Sequence, residues 1–149
     1  MQKSIIGKAA KITVDIFFYI GIVCVVCVPF LGKVLQTQYN YEIGNLKFMT
    51  VILFISGVCA VYILYNFKCM FKTLMGGNPF VSDNIKRFTR MAVASVIIAL
   101  IYIIKSFVIF SLATITIVCV FAIAALFCLT LRDIFKQAIE YKEENDWTV

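Results

Sequence analysis

The chain contains no histidine, and with it go the commonest general base and the commonest metal ligand. Charge is scarce too: 15% of the 149 residues are charged, against about a quarter in an ordinary soluble domain. Apolar residues fill the gap at 62%. That is more than one water-soluble core can hide, so lipid is the expected solvent. Also missing are a glycine-rich phosphate loop, a zincin-like pair and an activated serine or cysteine arrangement. Gly76-Gly77 alone does not suggest a nucleotide. The chain reads as a non-enzyme with no cofactor and no metal. A disulfide framework is not expected either, because Cys24, Cys27, Cys59, Cys119 and Cys128 fall inside apolar segments and Cys69 lies just beyond one. In a soluble protein the formal charge of +6 would suggest nucleic acid. Here the cations sit beside apolar runs, where they set orientation, and direct nucleic-acid binding is not expected.

What is present is a set of long apolar segments. Residues 12–31 form the first, with Asp15 its only charge, and 48–67 the second, with none. Twenty residues at about 1.5 Å each match a hydrocarbon core of about 30 Å. Pro29-Phe30-Leu31-Gly32-Lys33 does not resemble a signal-peptidase site, so the first segment reads as a retained span. Gly32 to Lys47 reads as a polar connection. From Met91 to Leu131 only Lys105 is charged, which suits two spans and a tight turn somewhere from Lys105 to Thr116. Those spans are placed at about 88–107 and 113–132, with Arg90 snorkelling. The fold class is therefore an all-α membrane protein. Residues 1–149 form one four-helix transmembrane domain, with short helical extensions in the central loop and the C-terminal tail.

Orientation follows from counting. With both termini cytoplasmic, the inward segments hold Lys3, Lys8, Lys11, Lys68, Lys72, Lys86, Arg87, Arg90, Arg132, Lys136 and Lys142, and the outward ones only Lys33, Lys47 and Lys105. Eleven cations against three is a strong positive-inside asymmetry.

The central cytoplasmic stretch is where the chain turns round. Phe67, Met70, Phe71 and Leu74 recur at helical steps opposite Lys68 and Lys72, so the second helix is expected to run on into the interface. Gly76-Gly77 stops it, and Pro79 holds Asn78 extended. Ser82 is expected to be the N-cap of the next helix, with Asp83 favourable in its first turn. In the tail, Ile134, Ala138 and Tyr141 form a weak apolar stripe on a continued helix.

Four features invite a functional reading beside a plainer one. Cys24-Val25-Val26-Cys27 has the spacing of a redox pair, but with no second pair and no histidine it reads as packing. Asp15 is a candidate intramembrane acid, because such residues are functional suspects by default. Its place one turn past Lys11 favours an interfacial ion pair or a contact with the inner loop. Lys86, Arg87 and Arg90 suit DNA, anionic lipid or an acidic partner, or more plainly mark topology beside the lipid bilayer. Ala92, Ala94, Ser95 and Ala99 suit close packing between spans, or between protomers of a homo-oligomer.

Asn78-Pro79-Phe80-Val81 followed by Asn84 and Lys86-Arg87, with the tail Glu143-Glu144-Asn145-Asp146-Trp147-Thr148-Val149, resembles the bacterial family called domain of unknown function 2975. Its members are small four-span proteins with an Asn-Pro-Phe motif in the central cytoplasmic loop and an acidic closing helix. Trp147 stands here where leucine is more usual. Members are often encoded beside a Cro/C1-type helix-turn-helix regulator. The resemblance therefore implies a plasma-membrane protein that recruits or sequesters such a regulator. By the same resemblance, Asn78, Pro79, Phe80, Asn84 and Arg87 would shape the docking surface, joined by Asp146, Thr148 and Val149. On this view Phe80 packs under the helix starting at Ser82 and the tail folds back against the loop. The plainer reading is that these residues close the inner face of the bundle and bind nothing.

The alternative to a regulator anchor is a small transporter or an immunity-type protein acting on a peptide or lipophilic toxin. An exporter of this size is expected to carry a glutamate near the middle of its first span, and this span has none. The topology itself is directly checkable. A membrane-impermeant reagent added outside intact cells is expected to reach neither a tag at Val149 nor a label beside Asn84; labelling of either would overturn the arrangement.

Overall fold

In hydrocarbon no water is present to bond a backbone N–H or C=O, so each apolar segment satisfies its own backbone as a helix. A computed structural model describes residues 5–39, 43–77 and 80–147. It contains four α-helices: α1 (Ile5–Tyr39), α2 (Ile43–Met75), α3 (Ser82–Val108) and α4 (Leu112–Trp147). All four are long and apolar enough to cross a membrane, making this a multi-pass membrane protein.

The helices run beyond the expected spans. The polar connection expected over Gly32 to Lys47 is largely helical, since α1 continues to Tyr39 and α2 starts at Ile43. Adding a residue to an existing helix gains a hydrogen bond without a new nucleus, so polarity alone does not end it. Residues 40–42 lie outside the described residues. The Ser82 expectation also needs correction: Val81 is the extended N-cap, at φ −118° and ψ 138°, with no side-chain cap bond. Ser82 is already helical, and Asp83 lies in the first turn. At the end of α2 the Gly76 N–H donates to the Lys72 carbonyl at 3.1 Å, and Gly77 takes φ +88°, a left-handed conformation that favours glycine. Between α3 and α4 the turn is three residues, 109–111, inside the expected window. The Ile109 N–H donates to the Lys105 carbonyl at 2.8 Å there.

Among the described residues each helix packs only on its neighbours in sequence: α1 on α2, α2 on α3, α3 on α4. The core therefore lies on α3, whose Asn84, Phe88, Met91, Ala92, Ala94, Ser95, Ile98, Ala99 and Tyr102 are buried. Ile98 and Tyr102 meet Ile52 of α2, while Met91 and Ala92 meet Cys128 of α4. The small residues Ala92, Ala94, Ser95 and Ala99 are thus buried inside a single chain, where they let backbones approach.

By contrast, α1 is held by one seam. A β-carbon at Gly57 would lie 2.8 Å from Val25 Cγ2, and one at Gly32 would lie 2.9 Å from Thr50 Oγ1. Both helices use a missing side chain to come close, which is how helices gain dispersion contact where lipid supplies no hydrophobic drive. Gly57→Ala is therefore expected to weaken the α1–α2 hairpin by about 1–3 kcal/mol. The branched Val25 cannot rotate away cheaply. Adding Val25→Ala should recover part of the loss, as read by denaturation in mixed micelles; no recovery would mean the seam does not set the spacing.

Candidate functional site

The starts of α1 and α3 and the ends of α2 and α4 share one end of the molecule, which also carries most of the cations. Two devices fix its shape. Asn84 is completely buried, and its Nδ2 donates to Thr73 Oγ1 at 3.0 Å. Thr73 Oγ1 in turn donates to the Met70 carbonyl at 2.7 Å. This chain of bonds pins the end of α2 to the start of α3. The second device is aromatic: Phe135 of α4 lies 5.5 Å from Phe80 and 5.1 Å from Phe88, ring centre to ring centre, at tilted angles suited to aromatic pairs.

Phe80 therefore reaches α3 by way of α4 and stays partly open to the outside. The tail does not fold back over the described residues, because α4 is uninterrupted to Trp147. Asp146 is eleven residues past Phe135, about 16 Å further along the helix. Asn78, Pro79, Thr148 and Val149 lie outside the described residues. The structure thus brings Phe80 and Asn84 together at the base of the tail and places Asp146 away from them.

The three cations of α3 are divided. Lys86 and Arg90 are exposed, one turn apart, on a groove between α2 and α3. Arg87 is half-buried, and among the described residues its Nε is withdrawn from solvent without a hydrogen-bond partner.

Asp15 lies 3.3 Å from Lys68 Nζ on α2. The same ammonium donates to Tyr19 Oη at 3.3 Å and lies 4.6 and 5.0 Å from the ring centres of Tyr19 and Phe18. Asp15 Oδ1 is cut off from solvent and makes no aligned hydrogen bond, so the pair is held by charge contact. Eighteen residues, about 27 Å, separate Asp15 from Lys33, which puts the acid at one edge of the apolar band and not at its centre. Lys68 and Tyr19 were missed as partners in the sequence. The signal was there: in an antiparallel hairpin the first charge of one span meets the first cation after the next. At the opposite end Lys105 Nζ donates to the buried Thr114 Oγ1 at 3.0 Å and lies 5.6 Å from the Tyr102 ring centre. Cys24 and Cys27 are free thiols exposed on α1.

These contacts hold the surfaces at the two ends of the molecule in place. Asn84→Ala is expected to destabilise the protein by about 1–2 kcal/mol, since it removes the buried bond to Thr73 that joins α2 to α3. Thr73→Val should cost a similar amount, and the double variant little more than either single one, as read by denaturant titration in micelles. Additive losses would mean the two side chains act separately.

No curated protein and no solved structure matches the chain significantly. The model of the family described as "Protein of unknown function (DUF2975)" matches residues 8–149, which include α2, α3, α4, most of α1 and the central Asn-Pro-Phe stretch. With nearly its whole length matched, the chain belongs to this family.

Proposed function

We propose that this is a non-enzymatic anchor in the bacterial plasma membrane, with both termini in the cytosol, that recruits or sequesters a cytosolic helix-turn-helix regulator. The observation that supports this reading is the far end of α4. From Arg132 to Trp147 the helix carries charges of both signs and leaves Ile134, Tyr141 and Trp147 exposed. From the first of those sixteen residues to the last is about 22 Å of helix. Its base is clamped by the Phe80, Phe135 and Phe88 rings, so the arm leaves the membrane in a defined direction. An amphipathic helix held in this way suits helix-in-groove recognition, with Ile134 and Tyr141 as apolar anchors. The transport alternative lacks comparable support, because Asp15 is ion-paired with Lys68 at the edge of the apolar band.

The test is co-purification of the full chain with a Cro/C1-type helix-turn-helix regulator from the same genome. The regulator is expected to be retained by the wild type. A protein carrying both Ile134→Glu and Tyr141→Glu should hold it at least about tenfold less well, with its own level in the membrane unchanged. A regulator that fails to bind the wild type, or binds the double variant equally, defeats the proposal.

A further inference from the structure

Between α2 and α3 at the basic end lies a cavity of about 580 Å³, open along one side to the surrounding membrane. Its walls are apolar, with Val58 and Tyr62 from α2 and Val93 and Ile97 from α3. Lys86 and Arg90 close its basic rim. Among the described residues neither cation has an acidic partner within ion-pair distance. From Lys86 to Ile97 is eleven residues, about 16 Å along α3. One leaflet of a hydrocarbon core is about 15 Å deep. The groove therefore runs from the headgroup level to near the bilayer midplane, with positive charge at the shallow end and bare aliphatic and phenol surface below.

We propose that this groove holds one anionic phospholipid from the leaflet at the basic end. The lipid phosphate lies between Lys86 and Arg90, and one acyl chain fills the space between Tyr62, Val93 and Ile97. The chemistry selects this occupant over the alternatives. A soluble anion would use the two cations and leave the apolar trough empty. A zwitterionic lipid would fill the trough but carries a cationic group into a rim that is already positive. The inference is independent of any partner bound by α4.

The experiment uses the purified full chain in mild detergent, with bound lipid counted by native mass spectrometry. Three probes are compared: phosphatidylglycerol, phosphatidylcholine with the same acyl chains, and glycerol 3-phosphate. One phosphatidylglycerol is expected to be retained, with a preference of about tenfold or more over phosphatidylcholine, since each basic residue at a membrane surface adds severalfold attraction. Glycerol 3-phosphate should not be retained. Lys86→Gln with Arg90→Gln should erase the preference. Val93→Trp, at an exposed position, should lower retention of both lipids by filling the trough. Lys72→Gln, on a cation outside the groove, should change nothing. The proposal is overturned if the wild type retains both lipids equally, if the preference survives loss of both rim cations, or if Val93→Trp leaves retention unchanged. Binding of glycerol 3-phosphate as firmly as phosphatidylglycerol would also overturn it, because the site would then belong to a soluble anion.

Discussion

Every peptide group that enters hydrocarbon must find its hydrogen bond within its own helix, and the rest of this molecule is arranged around that requirement. It explains why polar interruptions such as Lys33 and Lys47 leave the helices intact: once a helix is started, continuing it is easier than stopping. Stops occur where the backbone itself is diverted. Gly77 takes a left-handed conformation after α2, and a three-residue turn separates α3 from α4. The same requirement leaves little for side chains to do in making helices, so their work is to choose which helices meet.

That choice is uneven. α3 is buried on two flanks, against α2 and α4, through a repeating set of small and large residues from Phe88 to Tyr102. Among the described residues α1 packs on α2 alone, through glycine-lined contacts and the Asp15–Lys68 pair. In lipid there is no hydrophobic force to press α1 inward, so close van der Waals approach and one half-exposed ion pair are what hold it. The pair itself is worth little where water can reach it, and it does more to set the register of the hairpin than its strength. The consequence is a firm three-helix unit with a fourth helix attached at its side. At the junction of the firm unit Asn84 is tied to Thr73 near the end of α2, and Phe80 to Phe135 of α4.

The placement of the membrane helices was readable because hydropathy over about twenty residues is a strong, local signal. The hairpin between α3 and α4 lay inside the window that Lys105 suggested, and the halt at Gly76-Gly77 followed from turn chemistry. Helix ends were read less well. Ser82 has the composition of an N-cap but lies one residue inside the helix, since the capping position depends on backbone angles that composition does not determine. Over the described residues the tail does not fold back as expected, because nothing from Arg132 to Trp147 breaks a helix.

The apolar segments by themselves determined that this chain is helical, that it enters a bilayer four times and that its cations gather at one end, because each of these depends on the nature of residues close together in the chain. Tertiary structure alone decided that Asp15 meets Lys68, that Asn84 bonds Thr73, and that Lys86 and Arg90 share a groove from which Arg87 turns away. Those outcomes depend on register and rotation between helices. They are set by which small side chain lies opposite which large one, a relation between distant positions that no single stretch of sequence contains.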